Sequence, residues 1–168
     1  MHVQRPKPRN NKSGWLSDLV LVGSVVVIAA LGGLVSGGDS DSWYQALSKP
    51  PFNPPGYYFG IVWPVLYVMI ALSAVIVRRR VSYIEHAPTS FGIFYLQLCF
   101  NGAWSFLFFF FHRPVWAMID LVALWLIIVA MIFHFGKYSK FAAFLLVPYF
   151  LWVTFAGYLN GMIIWLNA

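Results

Sequence analysis

The chain has 168 residues, of which 61% are hydrophobic and 10% charged, with a formal net charge of +6. Soluble domains carry about 25% charged residues, so a water-soluble fold is excluded. Long continuous apolar runs exclude a transmembrane barrel, which shows alternating segments of about ten residues. Lipid cannot satisfy backbone hydrogen bonds, which leaves a single all-α membrane domain, a bundle of five transmembrane helices. The basic residues lie in short clusters between apolar runs, so no nucleic-acid partner is expected. The partner that composition does imply is the lipid bilayer.

Residues 1–14 are basic and polar, with Arg5, Lys7, Arg9 and Lys12, and are read as a disordered tail. The apolar run at 16–37 is long and lacks a clear small-residue cleavage pattern, so it is read as a retained helix. Ala29, Gly33 and Gly37 recur at four-residue spacing on it and suit close helix packing, within a protomer or in a homodimer. Residues 38–56 form a loop in which Pro50, Pro51, Pro54 and Pro55 fix backbone angles, giving a rigid cap over the end of the bundle. Trp43 and Tyr44 make that cap aromatic.

The second span is read at 57–77, with Trp63 and Tyr67 one turn apart and Pro64 loosening the helix. The basic triplet Arg78–Arg80 belongs to the connection that follows. The third span, 90–111, places Gln97, Asn101, Trp104, Ser105 and Phe108 on one face, which should point into the bundle. Cys99 lies within it and is read as a small buried hydrophobe.

The fourth span, 115–135, carries Asp120, read as structural: near an interface, at the helix N-terminus, or paired with Arg113. The fifth, 141–166, carries Pro148, Trp152, Ala156 and Asn160 along one stripe, and Gly157 and Gly161 for close packing. The short breaks at 112–114 and 136–140 make the last three spans antiparallel neighbours. Trp15, Trp43, Trp116 and Trp165 lie near span ends, where interfacial belts form. Lys and Arg placement puts the N-terminus in the cytoplasm and the 38–56 loop outside. That orientation suits a bacterial inner membrane, with an outer membrane as the alternative.

Helix phasing thus predicts a pocket walled by Trp63, Trp104 and Trp152, with Asn101 as its hydrogen-bonding group and the loop around Tyr44 as its lid. The other reading of these aromatic stripes is packing or interfacial belt. No metal site is predicted: His2, His86, His112 and His134 lack paired spacing and are read as solvated. The chain has no phosphate-binding glycine loop, His-Glu-x-x-His or nucleophile elbow, so hydrolytic and phosphoryl-transfer catalysis is excluded.

A set of ordered motifs goes further. It comprises Trp43-Tyr44 with Leu47, Lys49-Pro50, Pro54-Pro55, Trp63 with Leu66-Tyr67, and Gln97-Leu98 with Asn101 and Trp104. It continues through Ala117 with Asp120, Pro148-Tyr149 with Trp152, Phe155-Ala156 and Leu159-Asn160. Together these resemble the TspO/MBR family of tryptophan-rich sensory proteins, which includes the mitochondrial translocator protein. The resemblance covers most of the chain beyond residue 40.

The resemblance implies a five-helix bundle, commonly dimeric, that needs no cofactor and binds porphyrin or haem as ligand. The pocket positions it implies are Tyr44, Trp63, Asn101, Trp104, Trp116, Trp152 and Ala156. It also implies sensing or regulation, with two alternatives: transport of porphyrins or other lipophiles, and light-dependent porphyrin breakdown. Trp63 and Trp152 are the catalytic candidates in the last case. Sterol binding is not expected, because residues 158–168 lack the basic residue of the cholesterol motif.

Overall fold

A computed structural model describes residues 11–36, 41–81 and 84–168, with the side chains of 11–13 left out of the description. Most of the predicted tail, Gly37 of the small-residue stripe and the loop's Gly38–Ser40 lie outside the described residues. Among those described, the chain is helical with no strand. Five helical segments, 14–35, 56–81, 88–110, 114–136 and 140–166, are long and apolar enough to cross a membrane.

The elements are α1 (Asn11–Val35), α2 (Ser42–Ala46), α3 (Gly56–Val81), α4 (Pro88–Ser105), α5 (Pro114–Gly136), α6 (Lys140–Leu145) and α7 (Val147–Leu166). Prolines open α4, α5 and α7 within their first two positions, where a missing N–H costs nothing. The helix α1 packs on α3 and α4, α3 on α6, α4 on α5, and α5 on α7. The last three spans are therefore neighbours, as their short connections require. Gly157 and Gly161 serve this packing within one protomer. A methyl group on Gly157 would come 3.2 Å from Leu121, and one on Gly161 3.8 Å from Met118, both on α5.

Three features differ from the sequence reading. The helix α3 runs on through Arg78–Arg80 to Val81 instead of ending at residue 77. Arginine is a good helix former, and cations in a last turn oppose the negative end of the helix dipole. The fifth span is two helices, split at Leu146, because Pro148 has no N–H for the Phe144 carbonyl. Third, α4 passes into a π-turn over Phe106–Phe110, and His112 reverses the chain with φ of 53°.

The basic end of the bundle is clamped by Asp18 of α1. Arg78 is 5% exposed. Its Nε donates to Asp18 Oδ1 at 2.6 Å, and its Nη2 donates to Oδ2. Arg79 reaches the same carboxylate at 3.3 Å. Arg78 is thus a buried partner within α3, not part of the connection after it. Cys99 also departs from expectation. It is exposed on the outer face of α4, one position after buried Leu98 and two before buried Asn101.

Candidate functional site

The 41–56 segment is built as a lid. Asp41 caps α2 by accepting from the Trp43 and Tyr44 amides at 3.0 and 3.3 Å. That turns Tyr44 inward, where its hydroxyl donates to Asn53 Oδ1 at 3.1 Å. Lys49 Nζ sits 4.8 Å above the Tyr44 ring and donates to the Gln45 and Leu47 carbonyls. Trp43 stacks on His112 at 4.3 Å, which fastens the lid to the α4–α5 reversal. Trp43 is thus part of the lid packing and not of a membrane belt, whereas Trp15, Trp116 and Trp165 are exposed at the span ends. Asn167 ties the lid to the end of α7, accepting from the Ser48 amide at 2.9 Å and donating to its carbonyl at 3.0 Å. The sequence reading did not single out Asn53 or Asn167. A lone Asn in a loop or at a chain end gives no periodic signal.

Beneath the lid is a cavity of about 610 Å³ between α1 and α3. Tyr44 closes its top, Trp63 and Tyr67 line the α3 wall, and Trp104, Ser105 and the π-turn's Phe108 and Phe109 form the back. Ala156 and Asn160 of α7 complete it. Val22, Val26 and Val68 line the cavity and are also exposed on the outer surface, so it opens sideways between α1 and α3. Ala29 and Gly33, expected to pack helices closely, line this cavity instead, and a methyl on Gly33 would meet nothing within 4 Å. Pro64 lacks an N–H, which leaves the Gly60 carbonyl without its helical donor on the same wall.

The aromatic groups brace one another. Trp63 stacks on Tyr67 with centroids 5.5 Å apart. Trp104 stacks on Phe108 at 5.3 Å and meets Phe109 edge-on at 5.9 Å. Tyr44 meets Phe109 edge-on at 5.8 Å. Such pairs contribute about 0.5–1.5 kcal/mol each beyond the area they bury.

The structure gathers Tyr44, Trp63, Trp104 and Ala156 around the cavity and leaves three other predicted positions outside it. Asn101 is spent within the protein: it accepts from the Tyr67 hydroxyl at 2.7 Å and donates to the Tyr149 hydroxyl at 3.0 Å. Tyr149 in turn donates to Gln97 Oε1 at 3.1 Å. Trp152 packs on Phe59 and Phe155, behind the wall. Trp116 is 61% exposed. It neighbours buried Ala117, so helical rotation carries it to the opposite side of α5.

Asp120 is buried and its Oδ2 has no hydrogen-bond partner; Arg113 is exposed and forms no ion pair with it. The Trp104 Nε1 and Asn160 Oδ1 are likewise buried and unpaired. No group of three or more metal-ligating side chains occurs among the described residues.

Comparison with known proteins fits this architecture. The TspO/MBR family model matches residues 21–166. The tryptophan-rich protein TspO of Chlorobaculum tepidum is 39% identical over 127 residues, covering 75% of this chain and 80% of that one. TspO of Archaeoglobus fulgidus is 33% identical over 156 residues, 91% of this chain and all of that one. The translocator protein of Bos taurus is 32% identical over 131 residues, 77% of this chain and 78% of that one. On this extent of similarity the chain belongs to the TspO/MBR family.

Proposed function

We propose that this multi-pass membrane protein binds a tetrapyrrole, a porphyrin or haem, in the lidded cavity and acts in sensing or regulation. The observation that supports this most is the wall itself. Two indoles, Trp63 and Trp104, border one apolar space of about 610 Å³ beneath Tyr44. That volume falls within the roughly 300–1,000 Å³ of typical ligand pockets. A large flat apolar ligand would gain affinity from burial and from offset stacking on the rings. The sideways opening between α1 and α3 gives a lipophile a route from the bilayer that leaves the lid in place.

The test is titration of protoporphyrin into the protein in lipid nanodiscs, read by tryptophan fluorescence. Saturable quenching with one site per protomer is the expected result. Exchanging both Trp63 and Trp104 for Phe should weaken binding at least tenfold, about 1.4 kcal/mol. Binding is followed for that variant by the porphyrin's own absorbance. Trp116→Phe should match the wild type. Non-saturable quenching, or equal losses from Trp116→Phe, would reject the cavity as the site.

A further inference from the structure

We infer that the cavity contains a hydrogen-bonding notch, formed by the Ser105 and Tyr67 hydroxyls opposite Gly32, that selects a flat ligand with a donor and an acceptor side by side on its edge. The matching chemical pattern is a secondary lactam. This inference rests on the reading of the cavity as a ligand site and adds the kind of edge it recognises.

With no side chain at residue 32, the α1 backbone comes close to both hydroxyls at this corner of the cavity. A methyl group there would sit 3.2 Å from Ser105 Oγ and 3.9 Å from the Tyr67 hydroxyl oxygen. Both oxygens therefore lie within 3.9 Å of one point on the cavity wall, and all three residues line the cavity. Gly32 is itself buried, which keeps this corner away from lipid.

The two hydroxyls differ in what they offer. The Tyr67 proton is committed to Asn101 Oδ1 at 2.7 Å. Asn101 is held in that sense because its amide donates to Tyr149, which donates to Gln97. This one-way chain leaves the Tyr67 oxygen with lone pairs only, so it presents an acceptor. Ser105 Oγ has no hydrogen-bond partner among the described residues, and its hydroxyl is free to turn and donate. A lactam N–H meets the Tyr67 oxygen while its carbonyl accepts from Ser105. A carboxylate fits poorly, since it can only accept and would face the Tyr67 lone pairs. A hydrocarbon edge leaves both groups unsatisfied.

The probes are phenanthridinone and its N-methyl derivative, which share a flat tricycle and differ in the lactam donor. Affinities are measured by calorimetry in nanodiscs and corrected for partition into empty nanodiscs. The wild type should prefer phenanthridinone by about tenfold, as expected for a neutral hydrogen bond in a dry site. Ser105→Ala removes the donor to the carbonyl, which both probes carry, so it should weaken both several-fold and leave the ratio near tenfold. Gly32→Ala crowds both hydroxyls and should reduce the ratio to about twofold. A ratio near one in the wild type, a ratio still near tenfold in Gly32→Ala, or unchanged affinities in Ser105→Ala would overturn the notch. Protoporphyrin titration of the same wild-type sample reports on the larger reading separately. Lactam preference without porphyrin binding rejects the tetrapyrrole alone, and porphyrin binding without lactam preference rejects the notch alone.

Discussion

Asp18→Ala should destabilise the folded bundle by about 3–5 kcal/mol, because it strands a buried guanidinium. Arg78 is 5% exposed, and both its described hydrogen bonds go to that carboxylate. Arg79 is largely exposed and hydrates readily when released, so it adds little. The consequence should be local as well as global. Few α1 side chains are buried, among them Leu21 and Val25, so this helix relies on the clamp more than the others do. Thermal unfolding in detergent, followed by tryptophan fluorescence, checks the size of the effect. The double variant Asp18→Ala, Arg78→Met should recover much of the loss, since no charge is left unpaired. An unchanged midpoint in Asp18→Ala would show that the ion pair is not a clamp.

Ala156→Trp should abolish saturable protoporphyrin binding, with at least a hundredfold loss of affinity. Ala156 is buried and borders the cavity close to Trp63 and Trp104. An indole added there would occupy the space between them. The cavity of about 610 Å³ has room for the added ring, so the thermal midpoint should move little. A folded variant that binds protoporphyrin as the wild type does would place the ligand elsewhere.

Much of the architecture was readable from residue order because apolar length is a strong signal. The five continuous runs correspond to the five membrane-length helices. The inward face of α4 was readable for the same kind of reason: Gln97, Asn101, Trp104 and Phe108 share a phase and are all buried. What phase reveals it can also withhold. Trp116 was placed in the pocket by resemblance and Cys99 in the interior by residue type, although each sits one position from a buried neighbour and faces outward. Trp152 shares the stripe of Ala156, yet it packs on Phe59 and does not line the cavity.

Other features depend on contacts between distant segments, which no local pattern encodes. The arginine triplet was assigned to a connection because its partner, Asp18, lies 60 residues away. Asn101 was expected to serve a ligand, but two tyrosines from α3 and α7 claim both ends of its amide. The notch at Gly32 was invisible for a similar reason. The four-residue spacing pointed to Gly33, whereas Gly32 is the position that lets α4 approach α1.

A crystal structure of the protein with protoporphyrin bound tests the central claim most directly. The macrocycle should lie between Trp63 and Trp104, beneath Tyr44, with its edge toward the gap between α1 and α3. A macrocycle seated on the outer face near Trp116, with the cavity empty, would contradict the account.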